Sequence, residues 1–144
     1  MKLKHLFLTA IAVFAFAGGV HAQAVTDDTV FQAFGGKEGI SKVIDDFLGI
    51  WQDDARINGA LKDADVERLG GLLKQQFTQL TGGPAVYSGR SMKEVHDGMG
   101  LRNADFNALA EDLQKAMDKN NVPVRAQNKL LAKLAPMEKQ IVTK

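Results

Sequence analysis

The stretch Tyr87-Ser88-Gly89-Arg90-Ser91-Met92-Lys93-Glu94-Val95-His96-Asp97-Gly98-Met99-Gly100-Leu101 holds the one histidine outside the first 22 residues. His5 and His21 lie in that leader, and the chain has no cysteine. Nitrogen or sulfur ligation of a transition metal beyond the leader therefore rests on His96 alone. One histidine cannot build a zinc site, which wants three or four protein ligands. It suffices where a tetrapyrrole brings four nitrogens of its own, so His96 is a candidate axial ligand of a haem iron. A single imidazole more often has no such task and simply sits at the surface or satisfies a hydrogen bond. The residue taken alone leaves both readings open.

The elements that must position His96 are read from apolar spacing. Ile40, Val43, Ile44, Phe47, Leu48 and Trp51 recur at helical intervals and predict a long helix over 39–54, set off by the Gly35-Gly36 turn from a short piece over 30–34. Residues 53–64 are polar and broken, with Leu61 as the apolar exception. Asp63 or Asp65 can cap a second helix, running to about Leu80, whose stripe is Val66, Leu69, Leu72, Leu73, Phe77 and Leu80. Gln76 falls on that stripe and needs a partner or solvent. Gly82-Gly83-Pro84 stops this helix. An extended segment over 85–90 then leads to a short helix over 91–97 that carries His96 and ends at Gly98 and Gly100. Asn103 is expected to cap a further helix with Phe106, Leu109, Leu113, Ala116 and Met117 on one face. Pro123 fits the first turn of a last helix, which Pro136 should kink. No stretch alternates as a strand does. The expectation is an all-α protein of four long helices and one short one, the bulk of its apolar stripes being ordinary core.

Length and charge narrow the function. The 144 residues are the size of one domain. Residues 1–22 read as a secretory signal peptide: Lys2 and Lys4 make the basic start, 6–17 the apolar run, and Val20-His21-Ala22 the small-residue cleavage site. That run is too short to span a bilayer comfortably, and no cysteine is present for a lipid anchor. Residues 23–29 read as a flexible entry segment and 30–144 as the folded domain. Without the leader, 16 basic residues face 17 acidic ones, a net charge of −1. That balance gives no electrostatic case for nucleic acid or for stable membrane association.

Taken in order, several motifs resemble the group 1 truncated haemoglobins, the compact 2-over-2 globins, across nearly the whole chain after the leader. They are Phe34-Gly35-Gly36, Asp46-Phe47, Thr81-Gly82-Gly83-Pro84, Tyr87-Ser88-Gly89, the 92–101 stretch around His96, and Leu134-Ala135-Pro136. The resemblance implies a 2-over-2 helical sandwich around haem b (iron protoporphyrin IX), with His96 as the proximal iron ligand. The second imidazole nitrogen should then be held by a carbonyl or carboxylate. By the same resemblance Leu48, Leu61, Leu69, Leu73 and Phe77 wall the distal side and its rim, and Phe47 is a further cofactor contact. Met92, Met99, Phe106 and Met137 are proximal or edge contacts, and Arg68 or Lys74 pairs a propionate.

The chain departs from that family where ligand chemistry is decided. The family usually has tyrosine at the position of Leu48, and often glutamine at those of Leu69 and Leu73 and phenylalanine at that of Leu61. Tyrosine and glutamine donate to bound O2, which carries partial negative charge; each such bond is worth about 1.5–3 kcal/mol. Their replacement predicts an apolar distal pocket, rapid O2 release and easy autoxidation, with Gln76 as the nearest amide that could substitute. The expected function is an exported pentacoordinate haem protein, periplasmic in a Gram-negative cell, that binds a diatomic gas (O2, NO or CO). The alternative is a nitric-oxide dioxygenase or other haem redox enzyme, which would require a separate reductase because no flavin or nicotinamide fingerprint is present. A haem-free helical adaptor is the remaining class.

Overall fold

Ile40, Val43, Ile44, Phe47 and Leu48 are all buried, and the helix they generate is the axle of the molecule. Burying each such aliphatic or aromatic side chain is worth about 1.5–3 kcal/mol. The computed structural model describes residues 27–144; the expected signal peptide over 1–22 and most of the entry segment lie outside the described residues.

Within them every regular element is helical. The helices are α1 (Thr29–Ala33), α2 (Gly36–Asp53), α3 (Val66–Leu80), α4 (Met92–His96), α5 (Asn103–Lys119), α6 (Val124–Leu134) and α7 (Glu138–Ile141), with 3-10 turns at Asn58–Leu61 and Ala135–Met137. The long α2 packs on both α3 and α5, and α6 leans on α1, α3 and α5. The core is one cluster that joins Phe31 and Phe34 to the α2 stripe, to Phe77 of α3, to Leu113, Ala116 and Met117 of α5 and to Leu130 of α6. Among the described residues no helix is long and apolar enough to cross a membrane.

Polar ties fix the crossings. Asp46 of α2 accepts from Lys119 Nζ at 2.6 Å and from Asn120 Nδ2 at 2.7 Å, so the Asp46-Phe47 pair joins a core residue to an anchor for the end of α5. Trp51 lies beside Phe47 with ring centroids 5.7 Å apart and donates its indole N–H to the Ile57 carbonyl at 3.1 Å. That bond pulls the 3-10 turn inward and buries Leu61. Of the two cap candidates for α3, Asp65 accepts from the Arg68 backbone N–H at 3.0 Å.

The structure corrects the predicted boundaries in four places. The expected four long helices and one short one become seven helices among the described residues. The first long helix starts at Gly36 rather than 39, because Gly35 and Gly36, at φ +85° and +68°, turn the chain before it. Asn103 does not cap α5 but is its first residue; Arg102 stands at the cap, its backbone N–H taken by the Asp105 carboxylate at 2.9 Å. Pro123 stands one residue before α6. The expected disturbance at Pro136 takes the form of a 3-10 turn: α6 ends at Leu134, and the chain, still in right-handed helical dihedrals, passes through Ala135–Met137 into α7, since proline offers no N–H to the preceding turn.

Candidate functional site

His96 is the last residue of α4, a helix of five residues with no buried member. So short a helix is not stable alone, and local devices hold it. At its start Ser91 and Glu94 form a reciprocal cap. The Glu94 carboxylate takes the Ser91 backbone N–H at 2.9 Å and the hydroxyl at 2.6 Å, while Ser91 Oγ takes the Glu94 N–H at 3.3 Å. The hydrogen bonds from Ser91 hold the Glu94 carboxyl below its ordinary pKa. At its end Gly98 and Gly100 adopt φ +75° and +61°, which reverse the chain directly after the histidine.

The segment entering α4 is clamped to α3 by two glutamines. Gln79 Oε1 accepts the Tyr87 N–H at 2.6 Å, and Gln75 Oε1 accepts the N–H and hydroxyl of Ser88 at 3.1 and 2.8 Å. Tyr87 folds back and donates its hydroxyl to the Arg90 carbonyl at 2.9 Å. A Cβ at Gly89 would sit 2.2 Å from that hydroxyl. This explains the Tyr87-Ser88-Gly89 motif: the ring closes over a residue that must have no side chain. Gln75 and Gln79 lie outside the site residues expected from the sequence, where their only signal is glutamine recurring one helical turn apart.

The imidazole itself is oriented. His96 Nδ1 lies 2.7 Å from the Met92 carbonyl. A carbonyl only accepts, so Nδ1 carries a proton, and in the neutral ring Nε2 then keeps its lone pair. Among the described residues no hydrogen bond ends on Nε2, and no group of three metal-binding side chains is present. The donor set thus suits a metal that brings its own equatorial ligands, and the residue present fits a haem in its chemistry: one imidazole whose Nδ1 is held by a backbone carbonyl, on a short helix packed against α7.

The other expected contact residues are placed as follows. Phe47, Leu48, Leu61 and Phe77 are buried, and Leu69, Leu73, Met92 and Phe106 are half-buried. Leu48 reaches the α3 backbone, where a Cβ at Gly70 would meet its Cδ1 at 3.1 Å; the α2–α3 crossing is therefore close at Leu48. Met99 is 44% exposed, and Arg68 is exposed. Lys74 is paired with Asp45 at 2.7 Å, which gives its ammonium a partner on α2. Gln76 is buried, with its Nε2 3.6 Å from Met92 Sδ and 4.0 Å from Met137 Sδ.

Residues 29–143 match the model of the bacterial-like globins. The chain belongs to that family. Its curated relatives are group 1 truncated hemoglobins. That of Tetrahymena thermophila is 33% identical over 85 residues, 59% of this chain and 70% of the relative. The one from Mycolicibacterium paratuberculosis is 29% identical over 115 residues, covering 80% and 85%. The crystal structure of truncated hemoglobin from Tetrahymena pyriformis in its Fe(III) form superposes with a TM-score of 0.77 at 25% identity, over 80% of this chain and 98% of that one. The group II truncated hemoglobin from Bacillus anthracis, at 24% identity and a TM-score of 0.71, shares the fold. As a group 1 truncated haemoglobin the chain takes the 2-over-2 globin sandwich, and its family implies a haem cofactor and a diatomic gas ligand.

Proposed function

We propose that this truncated haemoglobin is exported to the periplasm and binds O2, NO or CO at a pentacoordinate haem b whose proximal ligand is His96, in a distal pocket without hydrogen-bond donors. The observation that carries the reading is the 2.7 Å contact from His96 Nδ1 to the Met92 carbonyl, which selects the tautomer that leaves Nε2 for iron. The haem supplies the ligand-binding metal; every other property belongs to the chain. Without cysteine, thioether attachment of the haem is unavailable, which favours the b type. Leu48 is buried against α3, Leu61 is buried, and Leu69 and Leu73 are half-buried hydrocarbon packed against the core. None can donate to a ligand that acquires negative charge, so O2 loses about 1.5–3 kcal/mol per missing bond, while the less polar CO and NO lose less. Export rests on the basic start, apolar run and Val20-His21-Ala22 site of the leader. Any redox turnover would draw electrons from a separate reductase.

The test is the absorption spectrum of wild type and His96→Ala, ferric and ferrous, with and without CO, together with stopped-flow O2 release. A Soret band that shifts with CO in wild type and is lost or strongly altered in His96→Ala is expected, with rapid O2 dissociation. A colourless wild type, or an oxy form persisting for hours, overturns the reading.

A further inference from the structure

Gln76 is the most conspicuous polar side chain in the apolar α3 stripe. It is only 8% exposed, and burying an amide requires a partner. As the amide nearest the leucine-lined distal side it is a candidate replacement for the lost donors. Its contacts point elsewhere. Nε2 lies 3.6 Å from the thioether of Met92 on α4 and 4.0 Å from that of Met137 in the turn before α7. A thioether can only accept, so the amide N–H groups are directed at these two sulfurs.

We propose that Gln76 is a positioning residue for His96, acting through Met92. The link is short. Met92 takes the Gln76 amide on its side chain and the His96 ring on its backbone carbonyl, the latter at 2.7 Å. The helix α4 has one and a half turns, buries none of its residues and ends in two left-handed glycines, so its own hydrogen bonds do not determine where it sits. The glutamines at 75 and 79 hold the segment before it; Gln76 holds α4 itself, and Met137 ties the same amide to the C-terminal turn. The consequence is a division of labour on α3. The Leu69 and Leu73 face leaves the gas ligand without donors, and the one buried amide fixes the proximal side.

This inference rests on the reading of His96 as the iron ligand. Its test uses the haem-loaded protein and three variants: Gln76→Met and Met92→Leu, both near volume-conserving, and the double variant. Two readouts serve: the iron–histidine stretching band of the ferrous protein by resonance Raman, and the rate of haem transfer to excess apomyoglobin. Each single variant is expected to shift or broaden the band and to speed haem loss about threefold, in line with loss of one weak hydrogen bond. The double variant should do little more than either single one, because both remove the same link. Unshifted bands with wild-type haem loss overturn the proposal, as do strictly additive effects. So does a Gln76→Met protein with an unshifted band but altered O2 release, which would return Gln76 to the distal side. A wild type that takes up no haem sinks the assignment of His96 itself, whereas a red wild type with unaffected variants sinks only the role of Gln76.

Discussion

At the scale of single residues, the proposed chemistry divides between one nitrogen and the absence of donors opposite it. His96 is directed by a carbonyl four residues earlier on its own helix, so its tautomer is a local property of α4. On the proposed function the pocket opposite is defined by leucines, and that makes it reversible by substitution. Leu48→Tyr places a hydroxyl at the crossing where Leu48 meets Gly70. One hydrogen bond to charged bound O2 is worth about 1.5–3 kcal/mol, so O2 dissociation should slow by about tenfold or more, with CO dissociation little changed. Stopped-flow measurement of an unchanged O2 off-rate would show that residue 48 does not face the ligand.

At the scale of elements, α4 is the weakest piece of secondary structure and carries the most consequential residue. Its Ser91–Glu94 cap is the main local source of helicity. Ser91→Ala should cost about 1 kcal/mol, felt locally as faster hydrogen exchange of the α4 amides and weaker haem retention, with α2 and α5 unaffected. A global loss of protection would instead mean that α4 folds as one unit with the core. The turn after α3 is governed by close approach. A Cβ on Gly83 would sit 2.5 Å from the buried Phe31 ring and 2.7 Å from Thr78. Gly83→Ala should therefore destabilise by about 1–3 kcal/mol through overpacking, seen as a melting temperature lower by several degrees. An unchanged melt would show that α1 can move aside freely.

For the whole molecule, pH acts through carboxylates that tie distant segments. Arg56 donates to both oxygens of Asp54 and also reaches Glu111 of α5. These hydrogen bonds hold the Asp54 carboxyl at about 2. Lys119 and Asn120 likewise lower that of Asp46. A carboxyl whose pKa is depressed by folding stabilises the native state above its unfolded pKa, about 3.9, and loses that contribution as pH falls through the folded value. Stability should thus be flat from neutrality to about pH 5 on account of these groups and decline from about pH 4 towards 2. Asp54→Asn should be less stable at neutral pH and show a shallower decline in that acid window. Thermal melts at closely spaced pH values decide it; parallel curves for wild type and variant would remove Asp54 from the acid response.

What the sequence determined by itself follows from local physics. Apolar spacing marked α2, α3 and α5 because a helix burying one face must repeat every three to four residues. Asp65, Gly82, Gly98, Gly100 and Pro136 punctuated the chain because caps, left-handed turns and a missing N–H act within a few residues. His96 stood out because no other histidine or cysteine lies beyond residue 22. The precise starts of α2 and α5 escaped, since cap choice among neighbouring polar residues depends on which side chain the folded chain leaves free. Only the tertiary structure decided that Asp46 anchors the end of α5, that Gln75 and Gln79 clamp the 85–90 segment, and that Gln76 points at Met92 and Met137. Those contacts join residues up to 74 positions apart, and no periodicity encodes where a polar side chain on one helix meets its partner on another.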